Sequence, residues 1–208
     1  MDLPSSYPMF LLASIALILV PGPAQALVIA NSISRGGRAG ALTAVGLNIG
    51  TLFHTAAAAL GLSAILATSA LAFSVVKYAG AAYLLYLGLR ALREKPQLRE
   101  APVKAAGRSG SMLAQAVAAG VLNPKVALFF LAFLPQFVDP SRGAVLLQFL
   151  VLGVSMAVLD TLYELTIVYV VSRLKGRFLQ NPRLMALQQR VSGVVLVALG
   201  LRLALQER

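Results

Sequence analysis

The 208-residue chain contains no cysteine and a single histidine. Disulfides and thiolate metal sites are therefore excluded, and a multi-histidine metal site within one chain is not expected. There is no His-Glu-x-x-His stretch, so the common metalloprotease arrangement is absent. Charge is scarce as well. Only 12% of the residues are charged, against 59% hydrophobic, and the mean hydropathy is +0.82. A soluble domain of this size would need far more polar surface. The composition is that of an integral membrane protein, organised as one bundle. Before the apolar stretch from Met9 to Val20 the chain has Asp2 and neither lysine nor arginine. It thus lacks the basic start of a signal peptide, although Ala24-Gln25-Ala26 resembles a cleavage site. The first run is expected to stay as a span.

Six apolar runs are present, at roughly 8–31, 41–66, 70–92, 112–138, 144–172 and 186–206. Each is near or above the ~20 residues that cross a bilayer core, the sixth being the weakest. The net charge of +11 lies in the connections between these runs, as topology signals do. No nucleic-acid partner is expected. Thirteen basic residues fall in the first, third and fifth connections, among them Arg35, Arg38, Arg90, Arg93 and Arg173. Three fall on the alternate side, Arg142, Arg202 and Arg208. The positive-inside rule then places both termini outside and these three connections in the cytoplasm.

The two halves of the chain look related. Lys77-Tyr-Ala-Gly80 with Gly88-Leu-Arg90 is echoed by Arg190-Val-Ser-Gly193 with Gly200-Leu-Arg202. The first run is interrupted at Pro21-Gly22-Pro23 and the fourth at Asn123-Pro124. The expected fold is an all-α polytopic bundle of six transmembrane helices, with repeat one at 1–95, a cytoplasmic linker at 96–111 and repeat two at 112–208. Three spans per half make the second half inverted, as in secondary transporters whose broken helices mark the binding site. A proline removes an N–H, and in lipid a freed carbonyl must be satisfied by protein or a wet cavity. A break also presents N–H groups suited to a carboxylate, and carbonyls suited to an ammonium. A simple proline kink is the plainer alternative.

Ionisable groups at bilayer depth are candidates for function. Asp160 and His54 occupy corresponding runs of the two halves and could meet near the pseudo-axis as a proton-coupling pair. A structural hydrogen bond is the alternative for His54. Lys125, directly after the second break, could neutralise a substrate carboxylate or Asp160, or reach headgroups. Gln25, Asn48 and Asn123 could give amide hydrogen bonds to a substrate or between helices. Glu164 is expected to reach water, and Lys77 to snorkel to the outer interface. Gly46-x-x-x-Gly50 could pack helices within one chain or between two, so a homodimer stays open.

Pro21-Gly22-Pro23, followed by the glycine-rich stretch Gly36 to Gly40 and by Gly46, Gly50 and His54, resembles the lysine-exporter (LysE) superfamily. The stretch KYAGAAYLLYLGLRALR at 77–93 is similar to its third-span motif. GVLNPKVALFFLAFLPQFV at 120–138 resembles the fourth-span motif of the homoserine/threonine-exporter (RhtB) branch, and Asp160 falls where the family places a fifth-span acid. The resemblance implies a bacterial inner-membrane exporter of amino acids, of the small neutral homoserine/threonine class, coupled to proton entry. Its partners would be the amino acid, protons and membrane lipids, with no cofactor. On this reading the substrate site comprises Pro21, Gly22, Pro23, Gln25, Asn48, Asn123, Pro124 and Lys125, and Asp160 with His54 carries the proton. Two other readings are weaker. An inorganic-cation exporter would want more ligands than one histidine and two acids. An intramembrane hydrolase would rest on Gly153-Val-Ser155-Met-Ala157, a stretch that small-residue packing also explains.

Overall fold

The computed structural model describes residues 7–68, 70–93, 109–174 and 182–205. The expected linker at 96–111 lies almost wholly outside them. Among the described residues eight α-helices follow one another: α1 Tyr7–Leu19, α2 Pro23–Arg35, α3 Gly37–Thr68, α4 Ala70–Arg93, α5 Ser109–Val121, α6 Pro124–Ala132, α7 Val145–Leu174 and α8 Pro182–Leu205. Two short 3-10 turns, Leu134–Phe137 and Pro140–Arg142, join α6 to α7. No strand occurs among the described residues.

Both expected interruptions are real bends. α1 and α2 meet at 58°, and α5 and α6 at 45°. The cause is local. Pro23 and Pro124 each sit in the first turn of the helix that follows, where a missing N–H costs nothing. α2 in turn stops at Gly36, whose φ of 87° suits only glycine well. Three single helices are long and apolar enough to cross a membrane, within Gly37–Gly61, Val145–Arg173 and Met185–Leu205. Five spans result when each bent pair counts as one. The weak sixth run therefore qualifies by length and composition. The third run folds as α4, which is not among those five.

The most extensive contacts are α4 with α8, and α3 with both α5 and α7. The two bent pairs run in opposite directions. Phe10 of α1 meets Phe137 beyond α6 at one end, with ring centroids 5.4 Å apart. Arg35 of α2 reaches the Met112 sulfur of α5 at the other end. That second end also brings together Gly37 with Ser172, and Gln189 with Ala91. It carries Arg35, Arg38, Arg90, Arg93 and Arg173, and is called the basic end below. Many leucines and several tyrosines point outward along the bundle, for example Leu60, Leu71, Leu122, Tyr169 and Leu205. Polar side chains such as Asn31, Thr43, Asn48, Thr51 and Glu164 point inward. This inside-out pattern suits lipid, which offers polar groups no partner.

Gly46 and Gly50 pack within the chain. A methyl group on Gly50 would lie 2.5 Å from the Gly120 carbonyl carbon, and one on Gly46 2.6 Å from the Ala116 methyl. Small residues thus let α3 and α5 touch backbone to backbone.

Candidate substrate cavity

The breaks converge. Gly22, Pro23, Ala24 and Gln25 from the first, and Asn123, Lys125 and Val126 from the second, line one cavity. α7 closes it with Met156, Asp160, Tyr163 and Glu164, and Leu17 and Ile18 of α1 add an apolar wall. The volume is about 40 Å³, room for a few waters and too little for an amino acid without movement.

The backbone groups freed by the bends have specific partners. At the end of α1, the Leu19 carbonyl accepts from Gln188 Nε2 at 2.7 Å, and the Val20 carbonyl accepts from Lys125 Nζ at 2.7 Å. Each helix end uses a donor from a distant segment, which spares the carbonyls the cost of lying bare. At the second break, His54 Nε2 lies 3.3 Å from the Gly120 carbonyl, with its ring against Phe130. The two helix starts differ. Asn123 caps α6, its side-chain oxygen accepting from the Lys125 N–H at 3.1 Å. Gly22 offers α2 no side-chain cap, so the first N–H groups of α2 stay open toward the cavity.

The polar wall continues on α7. Asp160 and Glu164 stand one turn apart on one face. Asn48 Nδ2 donates to Glu164 Oε2 at 3.2 Å, and Asn48 also lies beside Asp160. Glu164 is 3% exposed. Neither acid has a cationic nitrogen within 4.0 Å among the described residues, because the nearby Lys125 ammonium is bonded to Val20. The Tyr163 hydroxyl accepts from both Gln25 and Gln188, at 2.9 and 2.8 Å. Gln188 thereby ties α1, α7 and α8 together.

Of the residues expected to bind substrate, Gly22, Pro23, Gln25, Asn123 and Lys125 line the cavity. Pro21 and Pro124 shape the two turns without lining it, and Asn48 stands behind Glu164. Asp160 faces the cavity. His54 does not meet it, being held on the Gly120 carbonyl. Glu164 was expected to reach water and is buried instead, because α3 covers its face of α7 with Asn48. Lys77 is also buried, with Nζ 5.1 Å from the Tyr78 ring centre, rather than reaching outward. Tyr163 and Gln188 had drawn no attention. Ser155 bonds the Tyr7 hydroxyl and the Val151 carbonyl, while the His54 ring nitrogen lies against the Gly120 carbonyl. Among the described residues no three His, Cys, Asp or Glu gather as a metal site.

Comparison with known proteins identifies the family. The LysE type translocator family matches residues 15–207. A homoserine/homoserine lactone efflux protein of Salmonella typhi is 29% identical over 195 residues, 94% of each chain. A leucine efflux protein of Salmonella choleraesuis is 31% identical over 159 residues, 76% of this chain and 75% of its own. A membrane protein of Vibrio cholerae is 32% identical over 195 residues, again 94% of each. No solved structure gives a significant match. With residues 15–207 matched, the chain belongs to the LysE family of membrane translocators.

Proposed function

We propose that the protein exports small neutral amino acids, of the homoserine, threonine or leucine class, from the cytoplasm in exchange for protons. The observation that carries this reading is the meeting of both helix breaks at one cavity with two carboxylates and one ammonium. A zwitterion needs an anion site and a cation site a few ångströms apart. The open start of α2 suits the carboxylate, and Asp160 suits the ammonium. Leu17, Ile18, Val126 and Met156 suit an aliphatic side chain.

Residues 1–95 and 112–208 act as inverted repeats that rock about this site, in a bacterial inner membrane with both termini periplasmic. The opposite run of the two bent pairs supports this. So does the α4–α8 crossing. Gly88 packs on the Gly193 carbonyl, and Gly200 packs on the Ala81 carbonyl, so the echoed glycines make matching contacts. Asp160 takes the entering proton and releases the substrate ammonium, since a neutral acid no longer holds a cation.

Inverted membrane vesicles with an acidic lumen test this. Labelled homoserine, threonine and leucine are offered one at a time, and uptake that a protonophore abolishes is expected for at least one. Absence of uptake across the panel, in vesicles shown to contain the protein, refutes the reading.

A further inference from the structure

We propose that Glu164, paired with Asp160 through Asn48, is the second half of the proton site, and that one proton is shared by the two carboxyls while substrate is absent. This rests on the antiport reading above and deepens it.

The first argument is charge. Asp160 and Glu164 face one cavity from adjacent turns of α7. Two ionised carboxylates there would repel each other in a medium that screens poorly. The one nearby ammonium among the described residues, Lys125, is engaged by the Val20 carbonyl at 2.7 Å. The other groups facing the pair leave its charge unrelieved. Tyr163 on α7 accepts two amide hydrogen bonds, α2 presents Gln25, and α3 presents Asn48. α8 presents Gln188, and Tyr7 of α1 is bound to Ser155, more than two turns from Glu164. Holding one proton lowers the pair from two negative charges to one, which Lys125 can balance across the cavity.

The second argument is Asn48. Its Nδ2 donates to both Glu164 Oε2 and the Ala44 carbonyl, each at 3.2 Å. Its Oδ1 is buried with no partner among the described residues. A buried acceptor without a donor is costly. A carboxylic acid O–H beside it is the donor that the pair can supply, and an amide turned about its axis presents either atom to a carboxyl. Asn48 is therefore a positioning residue that senses which carboxyl holds the proton.

The cycle balances as follows. The zwitterion's ammonium binds ionised Asp160, and the shared proton stays on Glu164. A second proton from outside adds to Asp160 and frees the ammonium outward. After the bundle turns, Glu164 gives its proton to the cytoplasm, and the proton on Asp160 becomes the one that the pair shares. One proton enters per zwitterion exported, so one positive charge moves inward.

The test uses the full chain in proteoliposomes with labelled leucine and homoserine. Two rates are read: accumulation driven by an acidic lumen, and exchange against internal unlabelled substrate with no gradient. Glu164→Gln is expected to lose accumulation at least tenfold while exchange changes less than threefold. Glu164→Asp is expected to keep accumulation with its pH profile displaced. Wild-type accumulation by Glu164→Gln overturns the assignment and leaves antiport intact. Loss of exchange by both variants also overturns it, since the carboxyl would then serve binding or packing. Wild-type protein that exchanges substrate but never accumulates it under the gradient overturns the antiport reading itself.

Discussion

On either side of the two breaks the bundle is built differently. Toward the end formed by α1 and α6, the interior is one large cluster with Phe10, Phe129, Phe130, Phe133, Phe137 and Phe149 at its heart. Its rings interlock, with Phe133 4.9 Å from Phe129 and 4.7 Å from Phe137. Toward the basic end, among the described residues, two small clusters stand beside the large one, one around Val28, Ala44, Leu47, Ala116 and Val168, the other of Ile29, Ile167 and Val171. That half relies on hydrogen bonds such as Asn31 to Thr43, and on close approach at Gly46, Gly88 and Gly193. In lipid, large interlocked side chains gain more dispersion contact than small ones. The α1–α6 end is thus a thick, stiff barrier and the basic end a thin one. The cavity is backed on one side by this packing, and on the other by a few polar side chains, chiefly Gln25, Tyr163 and Gln188, joined by hydrogen bonds.

Asp160 stands at the boundary between these halves, so the largest effect is expected there. Asp160→Asn removes the charge that the proposed exchange would titrate and leaves the size of the side chain. Gradient-driven uptake into inverted vesicles should fall at least tenfold. Uptake equal to wild type, still abolished by a protonophore, would show that the boundary acid plays no part.

Three stability measurements sharpen the contrast between the halves. Gly50→Ala places its new carbon against the Gly120 backbone, which cannot rotate aside. Overpacking of this kind costs roughly 1–3 kcal/mol, and a backbone clash belongs at the upper end. Phe133→Ala leaves a phenyl-sized hole in the aromatic core. The cavity term alone, at about 24 cal/mol per Å³, is roughly 2 kcal/mol, and for Val171→Ala at the basic end about half as much, with the lost transfer energy of the removed carbons added in each case. Unfolding of detergent-solubilised protein measures all three. Equal costs for Phe133→Ala and Val171→Ala would remove the proposed difference in barrier stiffness.

The parts of this architecture that were legible in the sequence are those fixed by local backbone chemistry. Pro21-Gly22-Pro23 and Asn123-Pro124 announce their bends because proline and glycine act within a turn or two of themselves. The depth of Asp160 follows from counting along an apolar run. What could not be read depends on lateral packing between distant segments. Gln188 meets Leu19 from 169 positions away, and nothing near either residue signals it. His54 looked like a partner for Asp160 because both lie mid-run. Its rotation about α3 turns it to Gly120 instead, and a short error in helical phase decides that. Glu164 had a usable signal, its i+4 spacing from Asp160. Its nominal distance from the centre hid the cover that Asn48 provides.

The smallest expected effect lies at the rim of the stiff end. Asp139 accepts from the Ser141 hydroxyl and N–H, at 2.6 and 3.0 Å, and Arg142 Nε lies 3.3 Å from its other oxygen. These contacts, the Ser141 hydroxyl foremost, hold its carboxyl below the ordinary carboxylate range. A group whose folded pKa is depressed contributes stability above its unfolded value, and that contribution is lost as the pH falls through the folded value. The turn at 139–142 should therefore loosen in acid, below about pH 4. Gln148 is not titratable and clamps the same turn, accepting from the Asp139 N–H and donating to the Asp139 and Gly143 carbonyls. The loosening should stop at Ser141 and leave the Asp139 amide protected. Hydrogen exchange across an acid series separates the two amides. Asp139→Asn should remove the acid step at Ser141, whereas Gln148→Ala should expose the Asp139 amide at every pH. If both amides lost protection together in wild type, the clamp and the carboxylate would be one unit, and the rim would be no stiffer than the turn that covers it.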